Sequence, residues 1–170
     1  NGSVATFGDG NNNPLTSIDV VGHEFTHAVD QYSANLIYQG ESGALDESFA
    51  DIFGTAVEFY SGDSNANWLI GRTNFTLRSM TNPKAFGDPD TYYGTNWANT
   101  SSSFDNGGVH INSGVQNYWF YLLSEGGSGT NDNGWAYQVD GLGMDSALQI
   151  AHRNRTVYLT SASPFADAHM

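Results

Sequence analysis

The residues best equipped for chemistry are His23-Glu24-Phe25-Thr26-His27. On an α-helix, positions i and i+4 lie about 40° apart around the axis, so both imidazoles face one way, one turn apart. Two neutral imidazoles suit zinc. Glu24 falls about 100° from His23, beside such an ion rather than on it, where a general base for an activated water belongs. Catalytic zinc needs a third protein ligand and an open position. Glu47 and Asp51, four apart, share one helix face and offer it. Spacing alone leaves open which carboxylate binds the metal and which accepts a hydrogen bond from a ligand imidazole.

These residues require two helices. Hydrophobic spacing predicts the first over 18–35, with Ser17 as N-cap and Val21, Phe25, Ala28, Val29 and Tyr32 as its apolar stripe. A second is expected over 44–60, with Leu45, Phe49, Ile52, Phe53, Ala56 and Tyr60 as its stripe, and Gly40 to Gly43 as punctuation. Further helices are expected over 112–124 and 144–159. Val4 to Phe7 reads as a strand and Gly8 to Pro14 as a loop. Residues 61–110, rich in Asn, Ser, Gly and Thr, read as long loops with short elements. The fold class is therefore mainly α.

The chain has 170 residues, with 18 acidic against 5 basic side chains and a net charge of −13. That balance argues against nucleic acid and anionic membranes, and suits hard cations such as calcium. The absence of cysteine excludes disulfides, thiolate metal sites and cysteine nucleophiles. No apolar run reaches transmembrane length. Ten Phe, nine Tyr and four Trp supply the large buried areas that a core needs. The start at Asn1-Gly2-Ser3, without Met, is what a processed or excised segment would show.

Longer blocks surround the zinc motif: Asp19-Val20-Val21-Gly22-His23-Glu24-Phe25-Thr26-His27-Ala28-Val29, Glu41-Ser42-Gly43-Ala44-Leu45-Asp46-Glu47, Asp51-Ile52-Phe53-Gly54, Gly87-Asp88-Pro89-Asp90 and Asp105-Asn106-Gly107-Gly108-Val109-His110-Ile111-Asn112-Ser113-Gly114. In this order they resemble the thermolysin-like neutral zinc metallopeptidases, secreted bacterial enzymes of the bacillolysin, vibriolysin and pseudolysin type. The resemblance implies that His23, His27 and Glu47 bind zinc, with Asp51 oriented on His23. Glu24 would be the general base and proton shuttle. Tyr38 and His110 would steady the oxyanion, and Asp105 would hold His110. Arg78 would bind a substrate carbonyl, and Val20, Ile70 and Leu77 would line an apolar pocket. The implied activity is endopeptidase cleavage of protein or peptide substrates on the amino side of bulky apolar residues, outside the cell.

The resemblance also implies an organisation and some departures. Residues 1–17 would end an N-terminal β domain and 18–170 would be the helical catalytic domain, short at its C-terminus. The missing N-terminal domain and C-terminal helices of the parent would be its partners, and a truncated, non-catalytic piece that keeps fold and zinc is the rival expectation. Asp19, Glu58, Asn67 and the Leu69 carbonyl leave room for one weaker calcium site, with Asp63 as a further ligand. Arg72 stands where a two-ion cluster would have an acid. Asp46 replaces a common Asn and Phe86 a common Tyr; His152 and His169 have no counterpart and read as surface residues.

Overall fold

A computed structural model describes residues 5–8, 14–71 and 76–168. Arg72, Val4, His169 and most of the Gly8–Pro14 loop therefore lie outside the described residues. Residues 5–8 and 14–17 contain no strand.

The architecture is helical. Among the described residues four α-helices follow in order: α1 (Ile18–Gln31), α2 (Gly40–Tyr60), α3 (Asp105–Glu125) and α4 (Met144–Arg153). Two small antiparallel pairs accompany them. β1 (Leu69–Ile70) pairs with β2 (Arg78–Ser79), placing Ile70 opposite Arg78. β3 (Gly127–Thr130) pairs with β4 (Ala136–Val139). Short 3₁₀ segments span Pro83–Phe86 and Phe165–Ala168, and α4 runs on into a π turn, Asn154–Tyr158. Among the described residues no helix is long and apolar enough to cross a membrane.

Helix α2 is the centre of the domain. It packs against both α1 and α3. Its expected stripe is largely realised: Leu45, Phe49, Ile52 and Ala56 are buried and Phe53 packs beside them, while Tyr60 is exposed. Ile70, Met80, Phe120, Ala147, Ala151, Leu159 and Phe165 complete the core from the surrounding elements.

Helix α1 departs from expectation. The residues it buries are Asp19, Gly22, His23, Thr26 and Asp30, whereas Phe25, Val29 and Tyr32 are 61%, 49% and 83% exposed. The apolar stripe thus faces outward and the polar face meets α2. Burying polar groups is tolerable because they find partners: Thr26 Oγ1 donates to the Gly22 carbonyl at 2.8 Å and Asp30 Oδ2 accepts from the Leu36 N–H at 2.8 Å. The helix ends at Gln31 rather than near Asn35, because the Ser33 and Asn35 amides both turn back to the Asp30 carbonyl. Ser17 holds the N-cap position without a side-chain cap bond.

Two close approaches fix the helix triad. A Cβ on Gly54 would lie 2.4 Å from the Asp19 carbonyl, and one on Gly22 would lie 3.0 Å from the Gly54 Cα. A Cβ on Gly43 would meet Val109 Cγ1 at 2.5 Å. Gly40 to Gly43 therefore opens α2 rather than interrupting the chain before it, and its small residues admit α3.

Candidate active site

His23 and His27 lie one turn apart on the buried side of α1, and Glu47 faces them from α2. The two Nε2 atoms are 3.1 Å apart. His23 Nε2 is 3.5 Å from Glu47 Oε2, and His27 Nε2 is 3.4 Å from Glu47 Oε1. Tetrahedral zinc with bonds of about 2.05 Å has ligand–ligand edges of about 3.3 Å. The triangle has that size. It is also the one such group of three metal-binding side chains among the described residues.

The second contacts of these groups fit a metal. The His23 Nδ1–H donates to Asp51 Oδ1 at 2.8 Å, which leaves Nε2 with its lone pair toward the triangle. Glu47 Oε2 is buried and has no hydrogen-bond partner. Two imidazole nitrogens facing each other across 3.1 Å need a cation or a proton between them. Without metal, His27 supplies the proton. Burial pulls its pKa down, but contacts with Asp46 and Glu47 outweigh that and hold it at about 10. Burial likewise pushes Glu47 up, and His27, His23, Arg78 and His110 together bring it down to about 2.

Asp51 is the hub behind His23. Besides the imidazole, it accepts from Arg78 Nε at 2.7 Å, Arg78 Nη2 at 2.8 Å and Asn117 Nδ2 at 2.8 Å. Asn117 is itself held by Ser48 Oγ, which donates to its Oδ1 at 2.7 Å. Burial disfavours the Asp51 charge, but Arg78 and His23 hold the carboxyl well below its usual range. Arg78 is buried in this ion pair, with Nη2 also 3.8 Å from Glu47 Oε2. Spacing arguments pass over Asn117 and Ser48; the available signal is that polar Ser113 and Asn117 follow His110 at i+3 and i+7, on one face of α3.

His27 has its own carboxylate. Asp46 Oδ1 lies 3.1 Å from His27 Nδ1, out of line for a hydrogen bond. On the opposite side of the triangle, Tyr38 Oη donates to Glu47 Oε1 and lies 3.2 Å from His110 Nε2. Burial and the charge of Glu47 raise the Tyr38 pKa, so its phenol keeps the proton it donates.

His110 depends on an unusual start to α3. Asp105, Asn106, Gly107 and Gly108 all have positive φ, forming a left-handed turn before the regular helix. A Cβ on Gly107 would sit 2.3 Å from the Thr100 carbonyl and one on Gly108 2.4 Å from Ala98 Cβ. Glycine is required at both positions. The turn explains why α3 extends beyond the expected 112–124.

The cleft in front of these groups has a volume of about 900 Å³ and is lined by Glu24, His23, His27, Tyr38, Glu47 and His110, with Phe7, Phe25 and Leu36 among its apolar walls. Glu24 is exposed to it. Arg78, Val20, Ile70 and Leu77 lie outside this lining. Leu77 donates its N–H to the Ile70 carbonyl at 2.8 Å, next to Arg78, and Ile70 is buried. Away from the triangle, Asp19 Oδ2 accepts from the Gly71 N–H at 2.6 Å while Oδ1 is buried without a hydrogen-bond partner. Glu58 Oε2 accepts from the Asn67 N–H at 3.3 Å, and Asn67 Oδ1 accepts from the Leu69 N–H at 2.8 Å. His152 is exposed, as expected.

Two imidazoles from one helix and a carboxylate from the next, converging beside the exposed Glu24, define a metallopeptidase-type centre. Residues 34–170 match the thermolysin metallopeptidase alpha-helical domain and residues 1–31 the thermolysin metallopeptidase catalytic domain. The chain is 45% identical to a bacillolysin of Bacillus cereus over 99% of its length and 30% of that protein's. It is also 45% identical to a thermolysin of Alicyclobacillus acidocaldarius, over 98% of its length and 31% of that protein's. The solved structure of a precursor of protealysin, a metalloproteinase from Serratia proteamaculans, superposes with a TM-score of 0.69 at 31% identity, covering 99% of this chain and 55% of that one. The chain belongs to the thermolysin metallopeptidase family. It spans about 30% of the length of the curated relatives it matches.

Proposed function

We propose that the protein of which this chain is part is a zinc endopeptidase, secreted from the cell, that cleaves peptide bonds on the amino side of bulky apolar residues. The observation that carries this reading is the His23–His27–Glu47 group, with its imidazole nitrogens 3.1 Å apart, 3.5 Å from His23 to Glu47 Oε2 and 3.4 Å from His27 to Glu47 Oε1, and with Oε2 buried without a hydrogen-bond partner. Zinc, when bound there, polarises the scissile carbonyl and acidifies the attacking water.

The side chains do the remaining work. Glu24 takes a proton from the attacking water and hands it to the departing nitrogen. Tyr38 Oη and His110 Nε2, both near Glu47 Oε1, donate to the oxygen on which negative charge develops. Asp105 holds His110, and Asp51 holds His23. Arg78 binds a substrate carbonyl, and Val20, Ile70 and Leu77 form the apolar pocket that favours a bulky side chain. Asp19, Glu58, Asn67 and the Leu69 carbonyl would hold one calcium ion, which would tie α1 and α2 to the β1 segment. Residues 1–17 end an N-terminal domain, and 18–170 form the helical catalytic domain. The outward apolar stripe of Phe25, Val29 and Tyr32 supports cover by a further part of the parent protein.

The test is zinc content together with peptidase activity in the parent protein, wild type and E24Q. The expected result is one zinc in both, with activity lower by about 10²–10⁴-fold in E24Q. Full activity in E24Q would overturn Glu24 as general base. The exposed stripe favours a second reading, in which the 170 residues alone keep fold and zinc without turnover. Zinc-dependent casein cleavage by the isolated segment would eliminate it.

A further inference from the structure

The two donors assigned above to the developing oxyanion come from different elements. Tyr38 stands two residues before Gly40, where α2 begins. His110 stands three residues after Gly107, in the left-handed turn that opens α3. Their approach, 3.2 Å from Tyr38 Oη to His110 Nε2, depends on how these two chain segments are held against each other.

A third segment, Ala98–Thr100 in the loop before α3, touches both. The Thr100 carbonyl is the shared neighbour: a Cβ on Gly40 would lie 3.3 Å from it and one on Gly107 2.3 Å from it. The Gly107 Cβ position is also 2.9 Å from Nε2 of Gln39, the residue next to Tyr38. Gly40 and Gly107 both have positive φ, so two glycine turns close on one carbonyl. Ala98 meets the same left-handed turn, its Cβ 2.4 Å from the place of a Gly108 Cβ.

The loop is held by one side chain that the chemistry above does not use. Asn112 is fully buried on the first regular turn of α3. Its Oδ1 accepts the Ala98 N–H at 2.9 Å, and its Nδ2 donates to the Ala98 carbonyl at 3.1 Å. A buried amide engaged at both ends holds its partner firmly, because shifting the loop would leave buried polar groups unpaired. Asn99 stiffens the stretch that follows: its Oδ1 accepts the Ser101 N–H at 2.9 Å and its carbonyl the Ser102 N–H at 3.0 Å. Asn112 is not among the residues lining the cleft, so it can act on the reaction only through the backbone it holds.

We propose that Asn112 is a positioning residue for the oxyanion donors. It pins the Ala98–Thr100 segment as a spacer between the start of α2 and the left-handed turn, and so sets the approach of His110 to Tyr38. The proposal rests on the endopeptidase reading above.

The test is steady-state kinetics of the parent enzyme on a peptide substrate, with rates expressed per bound zinc. A second readout is the affinity of a peptide phosphonate, whose tetrahedral oxygens imitate the intermediate. N112A removes both bonds to the loop. It should lower kcat by about 10–100-fold and leave KM within about twofold, since a donor misplaced by about 1 Å fails mainly in the transition state. Phosphonate affinity should fall in step with kcat/KM. In the H110A background the added effect of N112A should be less than about twofold. N112D is nearly isosteric and keeps the contact with the Ala98 N–H, but sets a second acceptor against the Ala98 carbonyl. It should act in the same direction, and it tests the proposal where N112A lowers the yield of folded protein. Wild-type kcat in either folded variant overturns the proposal. So does an equal loss from N112A with and without His110, which is what a merely structural role would give. A wild-type parent that cleaves no peptide overturns the endopeptidase reading, and the proposal with it.

Discussion

Asp105 grips His110 twice. Its Oδ2 accepts the His110 backbone N–H at 3.0 Å, and its Oδ1 lies 2.5 Å from the ring Nδ1 of the same residue. The ring is thereby fixed with Nε2 toward the cleft, where it meets Tyr38 Oη. D105N can keep the backbone contact but loses the carboxylate at Nδ1. In the parent enzyme it should lower kcat by roughly 10-fold or more with little change in KM, since an oxyanion donor acts in the transition state. Steady-state kinetics on a peptide substrate check this; a loss confined to KM would contradict the role given to His110.

Zinc uptake must displace the proton that His27 holds in the metal-free chain. That proton stabilises the metal-free fold fully below 6.5, the ordinary imidazole value, and the benefit is lost as pH rises through about 10. Apparent zinc affinity should therefore climb with pH across that window, by up to about tenfold per unit for one proton. Chelator competition at stepped pH measures the slope. Removal of zinc should lower the thermal midpoint, and added zinc should restore it.

Asp51 has four donors and one dominant counter-charge. D51N removes the two hydrogen-bonded contacts of the buried Arg78, leaving it only the longer approach to Glu47, and loses acceptor capacity for His23 and Asn117. Breaking one partner of a buried pair typically costs about 3–5 kcal/mol. Denaturant unfolding of D51N should show a loss in this range, alongside weaker zinc binding. A variant within about 1 kcal/mol of wild type would contradict the network as described.

The meeting of α1 and α2 depends on the absence of a side chain at Gly54. G54A places a Cβ 2.4 Å from the Asp19 carbonyl and 3.0 Å from the His23 amide, so the helices must separate. Overpacking of this kind costs about 1–3 kcal/mol. Because His23 and Glu47 sit on the two helices being pushed apart, zinc affinity should fall as well. Calorimetry and metal titration on the same preparation test both effects.

Asp88 gives a pH dependence away from the metal ligands. Burial raises its pKa to about 7, with Arg78 opposing and Asp51 and Asp105 adding to the rise. The unfolded chain releases this proton near 3.8 while the folded chain keeps it, so stability falls as pH rises from about 4 to 7 and then levels off. The full shift corresponds to on the order of 4 kcal/mol. D88N removes the titration. Its advantage over wild type should grow across that interval, and curves that stay parallel would disprove the assignment.

Much of this was open to reading from the residues. The i, i+4 histidines and the carboxylates on the next helix are periodic signals, and α2 buries nearly the stripe its apolar spacing predicts. Helix α1 misleads because periodicity locates an apolar face without saying what covers it. Its inward face is polar, held by Asp51, Glu47 and the Gly71 N–H, all distant in sequence. The β3–β4 hairpin is hidden for a different reason. Its first strand, Gly-Ser-Gly-Thr, has weak strand preference and no buried face, although Asn133-Gly134 marks a turn. The packing of Arg155 over Phe53 is invisible until the turn after α4 folds back onto α2.

The reversed handedness of residues 105–108 has a geometric result. On an unbroken right-handed helix, positions five apart point about 140° away from each other. An acid at 105 and an imidazole at 110 would then look toward different neighbours and never touch. Running one turn in the mirror sense swings the carboxylate back over the helix start and converts a mismatched interval into a clasp. Chirality of the backbone, more than distance along the chain, makes this pair a pair.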